Sequence, residues 1–319
     1  INYKTDIETM KITLLSIFGI IIIGIGIIYF FMPGTMFGIV KKLERKAGGL
    51  AQKSVIVNGM NIQYLEGGSG DPLVLIHGFG ANKDNWTRIS KFLTPHFNVI
   101  APDLPGFGES GKNRQEKYTI KDQAVFLKRF LNKININKSI HLGGNSMGGN
   151  IAGQYASLYQ EDLKSLLLIA PGGVVSSKPS EFFQMLKNGE QNPLVARSAK
   201  EYETLLSFVF VKKPFIPRPI KGFLVAEAIK NQDLNKKIFE QIKDSSLNNP
   251  MESLVKNIKV PTLIVWGAKD RVLHSSGAKI LEAIMKNSKA IVLENIGHAP
   301  MIEIPEETAK LYLDFHKKK

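Results

Sequence analysis

From Ile12 to Met32 no position is charged and isoleucine dominates, until Pro33-Gly34 ends the run. At about 1.5 Å of rise per residue such a stretch crosses a hydrocarbon core of roughly 30 Å, so it predicts one transmembrane helix. Beyond it the period of the pattern changes. Ser54 to Val57 and Asn61 to Leu65 flank Asn58-Gly59, a dipeptide that favours the positive-φ hairpin turn, and predict two antiparallel strands. Leu73 to Ile76 is apolar at every position, as expected of a strand buried on both faces of a parallel sheet. The same type returns at Phe97 to Ala101, Leu163 to Ala170, Thr262 to Trp266 and Ala290 to Leu293, with Ser139 to Leu142 as a shorter relative. Helical spacing lies between these runs, at Trp86 to Leu93 and at Thr119 to Ile134, where Ile120, Ala124, Leu127 and Leu131 share a stripe behind a capping threonine. Such alternation predicts an α/β chain with a mostly parallel, doubly wound sheet.

One interval breaks the rhythm. Between Pro171 and Pro261 no strand pattern is found, only helical stretches at Ser180 to Lys187, Ala199 to Val211, Ile220 to Ile229 and Leu234 to Ile242, separated by Pro- and Asn-rich joints. An inserted helical cap is expected there. It is rich in large apolar groups, Phe182, Phe183, Phe208, Phe210, Phe215 and Phe223 among them. Packing onto the core explains them most simply, and an acyl-binding surface is the other reading. The expected divisions are a tail at 1–11, an anchor at 12–32, a basic juxtamembrane linker at 33–53, a core at 54–171 and 256–319, and the cap at 172–255.

With 319 residues the chain has room for one large α/β domain and an insertion. The absence of cysteine excludes disulfides, thiolate metal ligands and a cysteine nucleophile. The net charge is +14, yet the basic residues are mostly lysines spread along the chain, and the dense clusters are Lys41-Lys42 with Arg45-Lys46 and the tail Lys317 to Lys319. A nucleic-acid protein gathers arginines and aromatics on one face, so the expected partner is an anionic membrane surface and no nucleic acid. A cleaved signal peptide competes for 12–32, but the run exceeds the usual apolar length and no Ala-x-Ala-like site follows. Two basic residues precede the span closely, Lys4 and Lys11, whereas Lys41, Lys42, Arg45, Lys46 and Lys53 follow it. By the positive-inside rule the folded domain is expected on the cytoplasmic side.

The candidate chemistry centres on Gly144-Asn-Ser-Met-Gly148, which joins a short strand to a helix. A serine on so sharp a turn has its hydroxyl lifted clear of the sheet, and the flanking glycines allow the backbone to close up. Ser146 is therefore the candidate nucleophile. A serine hydroxyl needs a base and an acid to orient that base, and open α/β sheets place such groups on loops at the carboxyl ends of strands. Of the downstream histidines, His316 adjoins the lysine tail and His274 lies beside the best acid candidate, which leaves His298 on the loop after a strand. Asp270 follows Trp266-Gly-Ala-Lys and is the expected acid, with Glu294, directly after the strand ending at Leu293, as its rival. For developing negative charge, the backbone N–H groups of Phe79 and Met147 are the expected oxyanion donors. His77 is expected to brace its loop without a chemical role.

Taken together and in order, His77-Gly78, Asp103-x-Pro-Gly-x-Gly-x-Ser110, Gly144-x-Ser-x-Gly148, Gly267-x-x-Asp270 and Gly297-His298 make the chain past the anchor resemble the α/β-hydrolase superfamily. More narrowly, His77 to Trp86, Lys259-Val-Pro-Thr with Trp266-Gly, and Leu293-Glu-Asn-Ile-Gly-His298 resemble the membrane-anchored monoacylglycerol lipases and related bacterial lipases. That resemblance implies the α/β-hydrolase fold and hydrolysis of carboxylic esters, monoacylglycerols or related lipid esters foremost, with no cofactor and no metal. A second resemblance, through Gly144-Asn-Ser-Met-Gly-Gly149 and Ala170-Pro-Gly-Gly173, is to carbon-carbon hydrolases of meta-fission products. Those typically carry tryptophan beside the catalytic histidine, where this chain has Ala299-Pro300. A non-catalytic membrane-tethered scaffold is the reading from a different class.

Overall fold

The computed structural model describes residues 3–113 and 115–317. Ile1 and Asn2 of the expected tail, and Lys318 and Lys319 of the basic C-terminal cluster, lie outside them. The chain opens with helix α1 (Tyr3–Phe31) and, after Met32 alone, helix α2 (Pro33–Ala47). Within α1, Glu8–Phe31 is long and apolar enough to cross a membrane, and none of it is buried against the rest of the chain. The stretch expected to be a linker is thus mostly helical. Pro33 sits at the first helical position, where its missing N–H costs nothing, and Phe37 packs at 5.8 Å against Phe223 of a later helix.

Strands β1 (Ala51–Val57) and β2 (Met60–Gly67) form the hairpin around Asn58-Gly59, with φ of 50° and 77° at those two residues, as the turn requires. Next come β3 (Pro72–Ile76), α3 (Thr87–Leu93), β4 (Asn98–Pro102), α4 (Ile120–Lys133), β5 (Ile140–Asn145), α5 (Met147–Tyr159) and β6 (Leu163–Ile169). Five helices follow without an intervening strand: α6 (Glu181–Lys187), α7 (Ala199–Val209), α8 (Arg218–Lys230), α9 (Gln232–Asn248) and α10 (Met251–Val255). The chain closes with β7 (Thr262–Gly267), α11 (Ser276–Ile284), β8 (Ser288–Leu293), α12 (Pro300–Glu303) and α13 (Pro305–Lys317).

The eight strands make one sheet in the order β1-β2-β4-β3-β5-β6-β7-β8, antiparallel at β1/β2 and β2/β4 and parallel everywhere else. Alternate side chains enter two separate cores. Val74, Ile76, Leu166, Leu168 and Ile264 join one with α4, α5 and α11, whereas Leu73, Leu75, Leu167, Leu263 and Val265 join the other with α3 and α13. These central strands are therefore mostly apolar because both faces are covered, with Lys164, Ser165 and Thr262 only at the starts of β6 and β7. Order reverses around β3, so the loops after β3 and β5 open side by side at the carboxyl edge, the place where such sheets build sites.

Candidate active site

Ser146 occupies a backbone conformation, φ 56° and ψ −119°, that a non-glycine residue adopts only when its surroundings enforce it. Enforcement comes from hydrogen bonds of Ser146 N–H to Ile169 O (3.0 Å) and of Gly172 N–H to Ser146 O (2.9 Å). Close approach does the rest. A Cβ on Gly144 would stand 2.1 Å from Gly148 O, and one on Gly148 would stand 2.2 Å from Ile76 O. Met147 is the first residue of α5, so its N–H has no partner within the helix, and Phe79 lies on the glycine-flanked loop after β3. Among the described residues neither N–H has a hydrogen-bond acceptor. Gly78 packs so near Ser146 that a Cβ there would be 3.3 Å from the serine Cβ.

His298 stands two residues before α12 and is 5 % exposed. Its backbone is fixed on both sides, N–H to Val209 O at 2.8 Å and O from Asn145 Nδ2 at 3.1 Å. The Nδ1–H of the ring donates to Asp270 Oδ2 at 2.7 Å, which leaves the lone pair on Nε2. Asp270 has a fully buried side chain. Its Oδ1 accepts from Val272 N–H (2.8 Å) and Leu273 N–H (2.9 Å), and its Oδ2 also accepts from the Trp266 indole at 3.1 Å. Four donors thus surround an otherwise costly buried carboxylate. Glu294 is exposed and no hydrogen bond joins it to His298; the β8 direction carries it away, while the loop after β7 bends Asp270 inward. His274 bonds to Ser276, and His316 meets Tyr312 edge-on at 4.6 Å in α13, away from these loops.

Ser146, His298, Phe79 and Asn145 line one cavity of about 690 Å³. No hydrogen bond joins the Ser146 hydroxyl to His298 among the described residues, a looseness common before a substrate is bound. Of the apolar cap groups, Phe182 and Phe208 are buried with Phe239 and Val272 in a small core of their own. Phe210, Phe215, Phe223 and Leu224 line the cavity instead, opposite Gly34 and Phe37 of α2.

His77 is fully buried, and burial lowers its pKa, so the ring is neutral. Its Nε2 accepts from Leu104 N–H at 3.1 Å and its Nδ1–H donates to Gly78 O at 2.8 Å, which ties the loop after β3 to the loop after β4. Sequence reasoning passed over two supporting groups, the Trp266 indole on Asp270 and the Asn145 amide that bridges Ile169 O and His298 O. Both stand beside the motifs and could have been read as their braces. Among the described residues no group of three or more His, Asp or Glu side chains could hold a metal ion.

Residues 71–305 match the family model described as the alpha/beta hydrolase fold, and the chain belongs to that family. Within it, the chain is 38 % identical over 275 residues to Lipase 1 of Psychrobacter immobilis, covering 85 % of this chain and 86 % of that one. It is 35 % identical over 250 residues to the monoacylglycerol lipase ABHD6 of Rattus norvegicus, covering 76 % of this chain and 74 % of the relative. A solved structure described as a membrane phospholipase A and bacterial virulence factor superposes with a TM-score of 0.87 at 41 % identity, over 97 % of this chain and 98 % of the other.

Proposed function

We propose that this lipase- or esterase-like α/β hydrolase is a serine hydrolase that cleaves a monoacylglycerol or related lipid ester through an acyl-enzyme. The observation that carries the reading is the buried Asp270–His298 pair, whose free Nε2 shares a cavity with a strained, half-exposed serine. The Ser146 hydroxyl closes onto His298 Nε2, which takes its proton as Oγ attacks the ester carbonyl. Charge on the carbonyl oxygen falls to the N–H groups of Phe79 and Met147, and to the N-terminal dipole of α5. Collapse expels the alcohol, which takes the proton from Nε2, and water attacks the acyl-serine by the same route in reverse order. Asp270 holds the proton on Nδ1 throughout.

An apolar wall from α8 and the segment before it, facing α2, supports a lipid acyl group over a small soluble ester. On this reading residues 172–255 act as a lid over the serine, and 12–32 anchor the protein beside its substrate with the hydrolase core in the cytoplasm. The names of the relatives agree with an ester substrate. The carbon-carbon alternative is disfavoured by Ala299 at the position after the base and by an anchor of little use to a soluble dienoate.

The test is a fluorophosphonate label on wild-type protein and Ser146→Ala, followed by a panel of monoacylglycerols of graded length, short p-nitrophenyl esters and a meta-fission dienoate. Labelling lost with Ser146, and fastest turnover on a monoacylglycerol, are expected. Ester turnover in Ser146→Ala at the wild-type rate would sink the mechanism, and preference for the dienoate would sink the substrate. Protease added to spheroplasts should leave the core intact; digestion would reverse its side of the membrane.

A further inference from the structure

The loop that carries Phe79 holds little regular structure of its own. Gly78 and Gly80 flank Phe79, Gly80 has φ of 66°, and the one backbone bond within the segment is Ala81 N–H to Gly78 O at 3.3 Å. Such a loop has low intrinsic rigidity, yet an oxyanion donor must be preorganised. His77 ties it from within the hydrolase core, and a further part of what fixes it lies outside. Arg45, only 6 % exposed, reaches from α2 and grips Asp84 with two bonds, Nε to Oδ1 at 2.5 Å and Nη2 to Oδ2 at 2.7 Å. Asp84 stands in the short 3₁₀ turn Lys83–Trp86 that directly follows the Phe79 loop.

A second strap runs in parallel. Lys41 of α2 bonds Glu109 Oε1 at 2.5 Å, and Glu109 belongs to the loop after β4, whose Phe107 ring meets the Phe79 ring edge-on at 6.0 Å. Between the straps lies Lys83, 1 % exposed, bonded to Asp103 Oδ2 (2.6 Å) and Glu109 Oε2 (2.9 Å). Three cations, Lys41, Arg45 and Lys83, thus meet three carboxylates, Asp84, Asp103 and Glu109. Balance of this kind lets buried charges persist, and the planar guanidinium adds direction that an ammonium lacks.

We propose that Arg45, on the helix between the membrane anchor and the hydrolase core, is a positioning residue for the Phe79 N–H, acting through its two-point grip on Asp84. The inference rests on the serine-hydrolase reading above and adds to it that α2 is part of the catalytic apparatus. Loss of the grip frees the loop without removing any group that touches the substrate, so the defect falls on the transition state more than on substrate binding.

The test uses full-length protein in lipid nanodiscs, with Arg45→Ala, Arg45→Lys, Asp84→Asn and the double variant Arg45→Ala/Asp84→Asn. Turnover of a short p-nitrophenyl ester is measured per active site, titrated to completion with fluorophosphonate, beside inhibition by an alkyl boronic acid that forms a tetrahedral adduct. Arg45→Ala is expected to lower kcat by about tenfold to a hundredfold and leave KM within about threefold, as a small misplacement does. The boronic acid should weaken by a similar factor. Arg45→Lys should recover part of the loss, and the double variant should be no worse than either single one. If kcat per site stays within about twofold of wild type in Arg45→Ala, even with a lowered melting temperature, or if the loss is confined to KM, the inference is wrong. Should Arg45→Ala fail to fold, Asp84→Asn, which keeps the side-chain shape, decides on the same criteria. Turnover surviving in Ser146→Ala under these conditions would instead overturn the serine-hydrolase reading itself.

Discussion

Asp270→Asn changes one atom, and the structure says which way the new amide must turn. Its oxygen can stay under the N–H groups of Val272 and Leu273, now at 2.8 and 2.9 Å from Oδ1, or swing toward His298 and Trp266. Swinging would set the NH₂ against two backbone donors that lose their acceptor, at roughly 1–3 kcal/mol each. Staying costs less, because the Trp266 indole keeps Leu273 O at 2.9 Å as a second acceptor. In the favoured arrangement the amide N–H faces His298 Nδ1, which must then offer its lone pair, and the imidazole proton moves to Nε2. The base is lost although nothing has shifted. Where this constellation has been altered in the same way the loss is about 10⁴-fold, or about 5 kcal/mol of transition-state stabilisation. The assay is kcat/KM on a p-nitrophenyl ester in detergent, with thermal unfolding to show that the fold survives. Asp270→Ala, which imposes no tautomer, should be no worse than Asp270→Asn. A loss below about tenfold in Asp270→Asn, or an equal loss in Glu294→Gln, would refute the assignment of the acid.

Gly148→Ala places a Cβ 2.2 Å from Ile76 O and 2.5 Å from His77 O, backbone atoms that have no room to yield. It should cost on the order of 3 kcal/mol or more in denaturant unfolding, and an unchanged midpoint would show that the elbow is looser than it looks. Phe210→Asn, on the cavity wall, should raise KM for long acyl esters more than for acetate, since each buried methylene is worth about 0.8 kcal/mol; equal losses would mean that the ring supports folding and not the acyl chain. Burial pushes the Glu109 carboxyl up, but Lys41 and Lys83 outweigh it and hold its pKa at about 2, below the ordinary 4.5. The folded state therefore binds fewer protons, so this stabilisation is full above pH 4.5 and is lost as pH falls toward about 2; Glu109→Gln should flatten that acid limb in unfolding experiments.

The strands were legible because burial on both faces leaves no room for polar positions, as the unbroken apolar run of β3 shows. The hairpin was legible from two residues whose conformation few others adopt. Asp270 and Glu294 could be weighed in the sequence only by how far each stands from its strand, whereas the structure puts Asp270 within hydrogen-bond distance of His298. Less could be read where the determinant is a distant partner. β1 begins at Ala51 instead of Ser54 because its pairing with Glu66, and not an apolar pattern, extends it along the sheet edge. α10 is too short to show a period, and its place is set by Met251 and Val255 against α5. Lys83 looks like any surface lysine until Asp103, twenty residues away, is brought beside it.

Residues 33–53, expected as a basic juxtamembrane linker, are helical from Pro33 to Ala47. Glycines and basic residues suggest a juxtamembrane linker, and what such residues do depends on what they face. Gly34 lets α2 approach α8, where a Cβ would stand 3.0 Å from the Phe223 ring, and Arg45 and Lys41 are paired with Asp84 and Glu109 and not part of a solvated run. Only Met32, at φ −130° and ψ 56°, leaves helical geometry between α1 and α2, and the bonds Met32 N–H to Ile28 O and Met36 N–H to Met32 O bridge it at 3.0 Å each. Phe223 on one side and the Asp84 and Glu109 carboxylates on the other brace α2 against the rest of the chain. The same helix also forms a wall of the cavity that holds Ser146.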